Sequence, residues 1–286
     1  MKIIELEQGS PEWLSWRKTV ITATDASVIL GNNPWDTPYI CWQRKLGLIE
    51  EKKSNEAMER GKRLEPEARA RFIERHGINM YPAVVESTEF NFLGASLDGL
   101  SDCQKYVLEI KCGGDKLHTM AIKGEIPQYY QDQMQHQLFV TGAEKAFYYS
   151  YNGSEGVCIE VLPDPQYKVR FLPKAREFWR CVAFTEPPIL QDSDYKDMSN
   201  EPKWRALATE YRLVNEQIKA MEDIKDNYRK ELLKLCGDQN CLGEGVRVMK
   251  TIMRGRIAYD EIPEIKTIDL DRYRKGSTTT WKILVA

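Results

Sequence analysis

The sequence predicts an α/β fold of the α+β kind: one large mixed domain, then a long helix and a small β-rich extension. Three observations carry this. Alternating apolar segments between residues 84 and 162 read as strands, and helical periodicity brackets them on both sides. A proline-containing acidic stretch, Pro187-Pro188 through Asn200, then separates them from a highly charged helical run. The expected organisation is a core over 1–186, a linker over 187–200 and an extension over 201–286.

Ser10 before Pro11 marks a helix start, with Ser10 as cap and Pro11 in the first turn. A second short helix is expected to open at Thr24 or Asp25 and stop at Gly31, and a third to span Trp35 to Gly47. Glu50 to Asn55 reads as a solvated loop. From Glu56 to Gly77 the period is helical, with Met58, Leu64, Ala68, Phe72 and Ile73 on one face. Pro66 should kink or restart that helix.

Strands are expected at Val84–Glu89, Phe90–Leu97 and Tyr106–Cys112, the last two joined through a turn at Asp98-Gly99-Leu100-Ser101-Asp102. Gly113-Gly114 breaks the chain. A helix follows from Pro127 to Thr141, ending at Gly142. Strands Ala146–Tyr151 and Val157–Leu162 meet through Asn152-Gly153, and a helix runs from Pro165 to Phe184. In the extension, Glu201 to Cys236 is one long helix laced with opposite charges at i,i+3 and i,i+4. Strands over Val246–Ile252, Arg256–Glu261 and Trp281–Val285 close the chain.

Composition narrows the class without naming it. A 42% hydrophobic, 29% charged chain of 286 residues is globular. A net charge of −2 argues against non-specific coating of nucleic acid and leaves a local basic channel open. No apolar run is long enough for a membrane span. The opening Met1–Glu5 turns acidic at once, which makes the cytoplasm the expected location. The seven cysteines form no C-x-x-C pair and the three histidines lie near no cysteine cluster, so a zinc site has little support. Most of the cysteines are expected to be reduced core residues.

The chemistry concentrates in Ser96-Leu97-Asp98-Gly99 and Leu108-Glu109-Ile110-Lys111. Residues two apart on a strand share a face, so Glu109 and Lys111 project together while Ile110 points into the core. A tight turn brings Asp98 beside them. Two carboxylates converging on one spot repel unless a cation lies between them, and Mg²⁺ suits an all-oxygen site that includes the Ile110 carbonyl. A lysine on that face would position water or stabilise charge developing on a phosphate. The competing reading makes Asp98 a turn residue and Glu109/Lys111 a surface ion pair.

A wider set of motifs resembles the lambda-exonuclease-like viral recombinase family of the YqaJ type, within the PD-(D/E)-x-K nuclease superfamily. In order they are Trp13-Leu14-Ser15-Trp16-Arg17 with Ile21-Thr22-Ala23-Thr24-Asp25-Ala26, Gly61-Lys62-Arg63-Leu64-Glu65-Pro66, Gly94 to Leu100, Leu108 to Cys112, and Tyr130 to Gln137 with Val140-Thr141-Gly142. The resemblance implies a restriction-endonuclease-like core with a central mixed sheet flanked by helices. It implies Asp98 and Glu109 as metal ligands, Lys111 as the active-site lysine and Glu65 as a third acidic residue. Gln133 and Tyr130 match helix residues that organise the site and contact DNA. Arg17 and Thr24 match an arginine and a hydroxyl that hold a 5′-terminal phosphate, a sound receptor at a helix N-terminus. The polar face of Gln133, Gln135 and Gln137 also has a plain solvated reading, as do Arg17 in a surface ion pair and Thr24 as a helix cap.

This sequence departs from the family pattern in two places. Leu97 stands where proline usually precedes the aspartate, and Gly113-Gly114-Asp115-Lys116 leaves only Lys116 as the basic residue near the phosphate pocket. The resemblance further implies a Mg²⁺-dependent 5′→3′ double-stranded DNA exonuclease with two ions, Mn²⁺ substituting, that leaves 3′ single strands. It also implies a ring-like homotrimer, a single-strand annealing protein as partner and a phage or prophage origin. The alternatives are a nicking or structure-specific endonuclease on the same core, or an inactive DNA-end-binding scaffold. A RecB-type iron–sulfur cluster is set aside, because Cys236 and Cys241 offer one loose pair and no grouped four.

Overall fold

The computed structural model describes residues 1–50 and 55–253, with isolated positions beyond. Its strands are β1 (Lys2–Ile4), β2 (Met80–Glu86), β3 (Gly94–Ser101), β4 (Tyr106–Lys111), β5 (Lys145–Tyr151), β6 (Gly156–Val161), β7 (Cys241–Gly243) and β8 (Val246–Val248). Its helices are α1 (Pro11–Lys18), α2 (Ala23–Leu30), α3 (Pro38–Lys45), α4 (Glu56–His76), α5 (Asp115–Ile122), α6 (Gln128–Thr141), α7 (Tyr167–Ala183) and α8 (Pro202–Cys236). Two compact units result, Met1–Lys196 and Asp197–Ala286.

In the first unit β1 to β6 form one sheet in sequence order. Every neighbouring pair is antiparallel except β4–β5, which is parallel. The mixed sheet expected from the resemblance is therefore present. A parallel pair needs a long crossover, and α5 with α6 supplies it. That crossover lays α6 against the strand that carries Glu109.

The sheet has an apolar cluster on each face. On one, Val107, Ala146 and Tyr148 pack with Ala26 of α2, Met134 and Leu138 of α6, and Phe171 of α7. On the other, Leu108, Ile110, Phe147 and Tyr149 pack under Ala68 and Phe72 of α4. The period of two along β4 puts Leu108 and Ile110 toward α4 and leaves Glu109 toward α6.

Several boundaries differ from expectation. Asp98 lies inside β3, because the strand continues through Gly99↔Leu108 and Leu100↔Val107 to Ser101. The reversal comes later, where Gln104 adopts a φ of 58°. Gly99 permits the continuation: a Cβ there would sit 2.9 Å from Met80 Cβ and 3.0 Å from Leu108 Cβ. Pro66 does not break α4, which runs unbroken from Glu56 to His76. Proline loses its own amide bond and crowds the carbonyl one turn back, but the Ala68–Phe72 face stays anchored on the sheet and the helix continues. Of the expected α4 face, Met58 is exposed instead.

The second helix starts at Ala23 behind the cap Thr22, not at Thr24 or Asp25, because Asp25 folds back to accept from the Thr22 amide at 2.7 Å. The third is shorter than expected, capped by Thr37. The strand expected from Val84 begins at Met80, and the one expected from Phe90 begins at Gly94. Between them Ser87 Oγ accepts from the Glu89 and Phe90 amides and turns the chain. β1 and α5 were not anticipated.

Only three cysteines are in the core, Cys41, Cys112 and Cys181, and all seven are free. In the second unit α8 matches its expected span, while the strand expected to Ile252 ends at Val248 in a β7–β8 hairpin. Residues 51–54 and most of the expected strands Arg256–Glu261 and Trp281–Val285 lie outside the described residues. Among the described residues no helix is long and apolar enough to cross a membrane.

Candidate active site

A cleft of about 590 Å³ opens beside β3 and β4, walled by Glu65 and Gly61 of α4, Asp98, Lys111, and Tyr129 and Tyr130 of α6. Asp98 sits where the β3–β4 ladder ends. Its Oδ2 accepts from the Ile110 amide at 2.7 Å, so one strand's carboxylate is fixed by the next strand's backbone. Burial raises the Asp98 pKa well above the usual carboxylate range, and the nearby charges of Glu109 and Glu65 push the same way.

Glu109 is 1% exposed and buried against α6. Gln133 Nε2 donates to its Oε1 at 2.6 Å, and Gln137 Nε2 donates to its Oε2 at 2.5 Å. Lys111 completes the cage with an ion pair to Oε1. Burial works against the Lys111 charge, but Glu109, Tyr130 and Asp98 outweigh it and hold the ammonium more firmly protonated than an ordinary lysine. Its Nζ also lies 4.7 Å from the centre of the Tyr130 ring, a cation–π contact. With its Glu109 side chain 2% exposed, the Glu109–Lys111 pair is not the surface pair of the competing reading.

Glu65 lines the same cleft and is ion-paired to Arg69, whose Nε also donates to the Asp98 carbonyl at 2.7 Å. Burial raises the Glu65 pKa against the pull of Arg69. Among the described residues no group of three histidine, cysteine or acidic side chains stands ready to hold a metal. What converges is two carboxylates, Asp98 and Glu109, beside Ile110.

Arg17 and Thr24 occupy a second locus. Arg17 stacks over Trp13 at 4.6 Å, on α1. Thr24 is exposed in the first turn of α2. The loop between these helices is clamped from α3: Lys45 Nζ donates to the Arg17 and Val20 carbonyls at 2.7 and 2.6 Å and pairs with buried Asp25 at 2.5 Å. Burial favours a neutral Asp25, yet Lys45 and then Arg17 pull its carboxyl far below the ordinary range. Lys116 is exposed at the start of α5, where the cleft wall is instead Gly113, Gly114 and Leu117.

Four residues escaped the sequence reading in these roles: Gln137, Arg69, Lys45 and Asp25. The i,i+4 spacings Gln133/Gln137 and Glu65/Arg69 were visible signals. The Lys45–Asp25 pairing across 20 residues had none.

An aspartate on one strand, a Glu-x-Lys on the next and a glutamine-bearing helix behind them define a nuclease fold of the PD-(D/E)-x-K type. The chain belongs to the YqaJ-like viral recombinase family, whose domain matches residues 12–144. It is 32% identical over 238 residues to the uncharacterized protein YqaJ of Bacillus subtilis strain 168, covering 76% of this chain and 75% of that one. Among solved structures it is similar to the alkaline exonuclease LHK-Exo from Laribacter hongkongensis. The identity is 26% and the TM-score 0.55, over 62% of this chain and 94% of that one. LHK-Exo in complex with dAMP gives a TM-score of 0.56 at the same identity and coverage.

Proposed function

We propose that the chain is a divalent-metal-dependent 5′→3′ exonuclease acting on double-stranded DNA ends and leaving 3′ single strands. The observation that carries the reading is that Asp98 and Lys111 line one cleft, with the buried Glu109 carboxylate ion-paired to Lys111. The similarity to an alkaline exonuclease supports it.

The donor set fits a hard cation. Two carboxylates and the Ile110 carbonyl offer oxygen only, and a cation would offset both the burial that chiefly raises Asp98 and the repulsion from Glu109 that adds to it. Such a pair suits one Mg²⁺ or Mn²⁺; a second ion would draw on Glu65, which Arg69 now holds. Bound there, the ion would polarise a phosphate and activate water. The chain's own groups do the rest. The Ile110 amide fixes Asp98, and the Gln133 and Gln137 amides fix both oxygens of Glu109. Lys111 supplies a permanent positive charge to the cleft, suited to the charge that develops on the scissile phosphate. Tyr129 and Tyr130 give the wall an aromatic surface on which a nucleotide base can rest.

Arg17 and Thr24 are assigned to a 5′-terminal phosphate. A ring-like trimer and a separate single-strand annealing partner belong to the same reading. The test compares linear and covalently closed circular duplexes with Mg²⁺, with Mn²⁺ and with chelator. Loss of linear DNA alone, abolished by chelator, is the expected result. Cleavage of the circle would replace the exonuclease reading by an endonuclease on the same core, and no cleavage of either would leave a DNA-end-binding protein.

A further inference from the structure

α8 is 35 residues long, and none of them is buried. Helices in proteins owe most of their stability to packing of an amphipathic face, so a helix this long calls for a partner along its length. Ten of its residues follow an alternation of three and four, nine of them apolar, while Leu213, Ile224 and Leu233 lie beside it. One set is Trp204, Tyr211, Ile218, Lys225 and Leu232; the other is Leu207, Val214, Met221, Tyr228 and Leu235. These are the a and d positions of more than four heptads, with Lys225 the one polar intrusion. All nine apolar members are at least 39% exposed, and Leu235 reaches 84%. The seven from Trp204 to Tyr228 together expose on the order of 900 Å² per chain, comparable to the ~800 Å² per partner of a standard stable interface.

We infer that α8 pairs with α8 of a second copy as an antiparallel two-stranded coiled coil centred near Glu216. A heptad seam asks for a helix with the same spacing, and the same helix of another copy provides one in a self-complementary, two-fold contact. Charge decides the direction. In a parallel, in-register pair the flanking contacts are Glu210–Asn215, Gln217–Glu222 and Ile224–Arg229, none of opposite charge, and Lys225 faces its own copy. In the antiparallel register, Lys203 meets Glu231 and Glu201 meets Arg229, each twice by symmetry, and no like charges oppose. The seam then sets Val214 against Ile218, Tyr211 against Met221 and Trp204 against Tyr228. Lys225 lies over Leu207, its stem on the seam and its ammonium in water.

The experiment uses the full chain. Its mass in solution is measured by light scattering for the unmodified protein and for Ile218→Asp, with circular dichroism to verify that the variant is folded. The expected result is self-association, reduced roughly twofold in mass by the substitution. Independently, the Tyr211→Cys/Met221→Cys chain is oxidised and its linked peptides are identified by mass spectrometry. A 211–221 link between two copies is expected. A single-chain mass for the unmodified protein, a mass unchanged in a folded Ile218→Asp, or a dominant 221–221 link (a parallel pair) would overturn the inference. So would links from these cysteines to residues 1–196 or to the segment after 253, which would put α8 against its own chain.

Discussion

The Asp98 carboxylate accepts from the Ile110 amide at 2.7 Å, so the residue that follows Glu109 in sequence is the one that aims Asp98. The contact forms where the backbone ladder of β3 and β4 stops, after Gly99↔Leu108. Side chain replaces main chain at that step, and Asp98 ends in the cleft wall with Lys111, which is ion-paired to the buried Glu109.

The same economy governs Glu109, whose two oxygens are divided between Gln133 and Gln137. Gln137→Met keeps the bulk and removes the donor. The variant is expected to lose about 10–100-fold in cleavage rate, the usual cost of losing a group that orients a ligand, with DNA affinity unchanged. Single-turnover rates and a binding titration measure the two separately; a rate within twofold of the parent would make Gln137 a packing residue.

Lys45 is expected to matter without touching DNA. Lys45→Met leaves Asp25 buried with its nearest counter-charge gone, a loss of about 3–5 kcal/mol of stability. Asp25→Asn added to it should recover much of that loss, since no charge is then stranded. Denaturant unfolding of the single and double variants gives the comparison. A double variant no more stable than Lys45→Met would contradict the ion-pair account.

At the proposed 5′-phosphate locus, duplexes with a 5′-phosphate are expected to be degraded faster than 5′-hydroxyl duplexes. An arginine bonded to a charged oxygen is worth on the order of 1.5–3 kcal/mol. Arg17→Ala should erase most of the preference, and Arg17→Lys should restore it only in part, because an ammonium keeps the charge and loses the fork. Equal initial rates on the two substrates with the unmodified protein would remove the pocket from the account.

His136 gives a pH signature. Its Nε2 lies 3.0 Å from the Gly94 carbonyl and so carries the proton, while Nδ1 is buried with no partner among the described residues. Burial pushes its pKa down to about 4 from 6.5. The folded pKa being the lower one, the unfolded chain binds the extra proton first. Stability contributed above pH 6.5 is lost as pH falls toward 4, by roughly 3 kcal/mol. His136→Gln, which can still donate to Gly94, should flatten that part of the profile. Urea unfolding of both proteins between pH 4 and 7 tests it, and parallel profiles would contradict it.

The sequence made much of this site legible because its signals are local. Glu109 and Lys111 share a face through strand alternation, and Gly31, Gly77 and Gly142 end their helices in left-handed caps where glycine was expected to stop them. Asp-Gly is common in turns, which is why a turn is expected at Asp98-Gly99; here β3 continues and Gly99 serves a close approach to Met80 and Leu108 instead. Propensity cannot see that contact. Nor can it see Lys45 reaching the Arg17 and Val20 carbonyls, or the Glu109 oxygens being shared between two glutamines, since these depend on how α3 and α6 dock.

The central claim is that Asp98, Glu109 and Lys111 form a metal-dependent nuclease site. The most direct measurement is the initial rate of linear duplex degradation in Mg²⁺ by the unmodified protein and by Asp98→Ala, Glu109→Ala and Lys111→Ala, with DNA binding followed in parallel. The account predicts that both carboxylate variants are inactive while still binding DNA. Lys111→Ala should lose more than about tenfold in rate, the scale of 1.4 kcal/mol in the barrier, and keep its affinity for the metal, because an ammonium is not a ligand. Substantial Mg²⁺-dependent cleavage by Asp98→Ala or Glu109→Ala would contradict it.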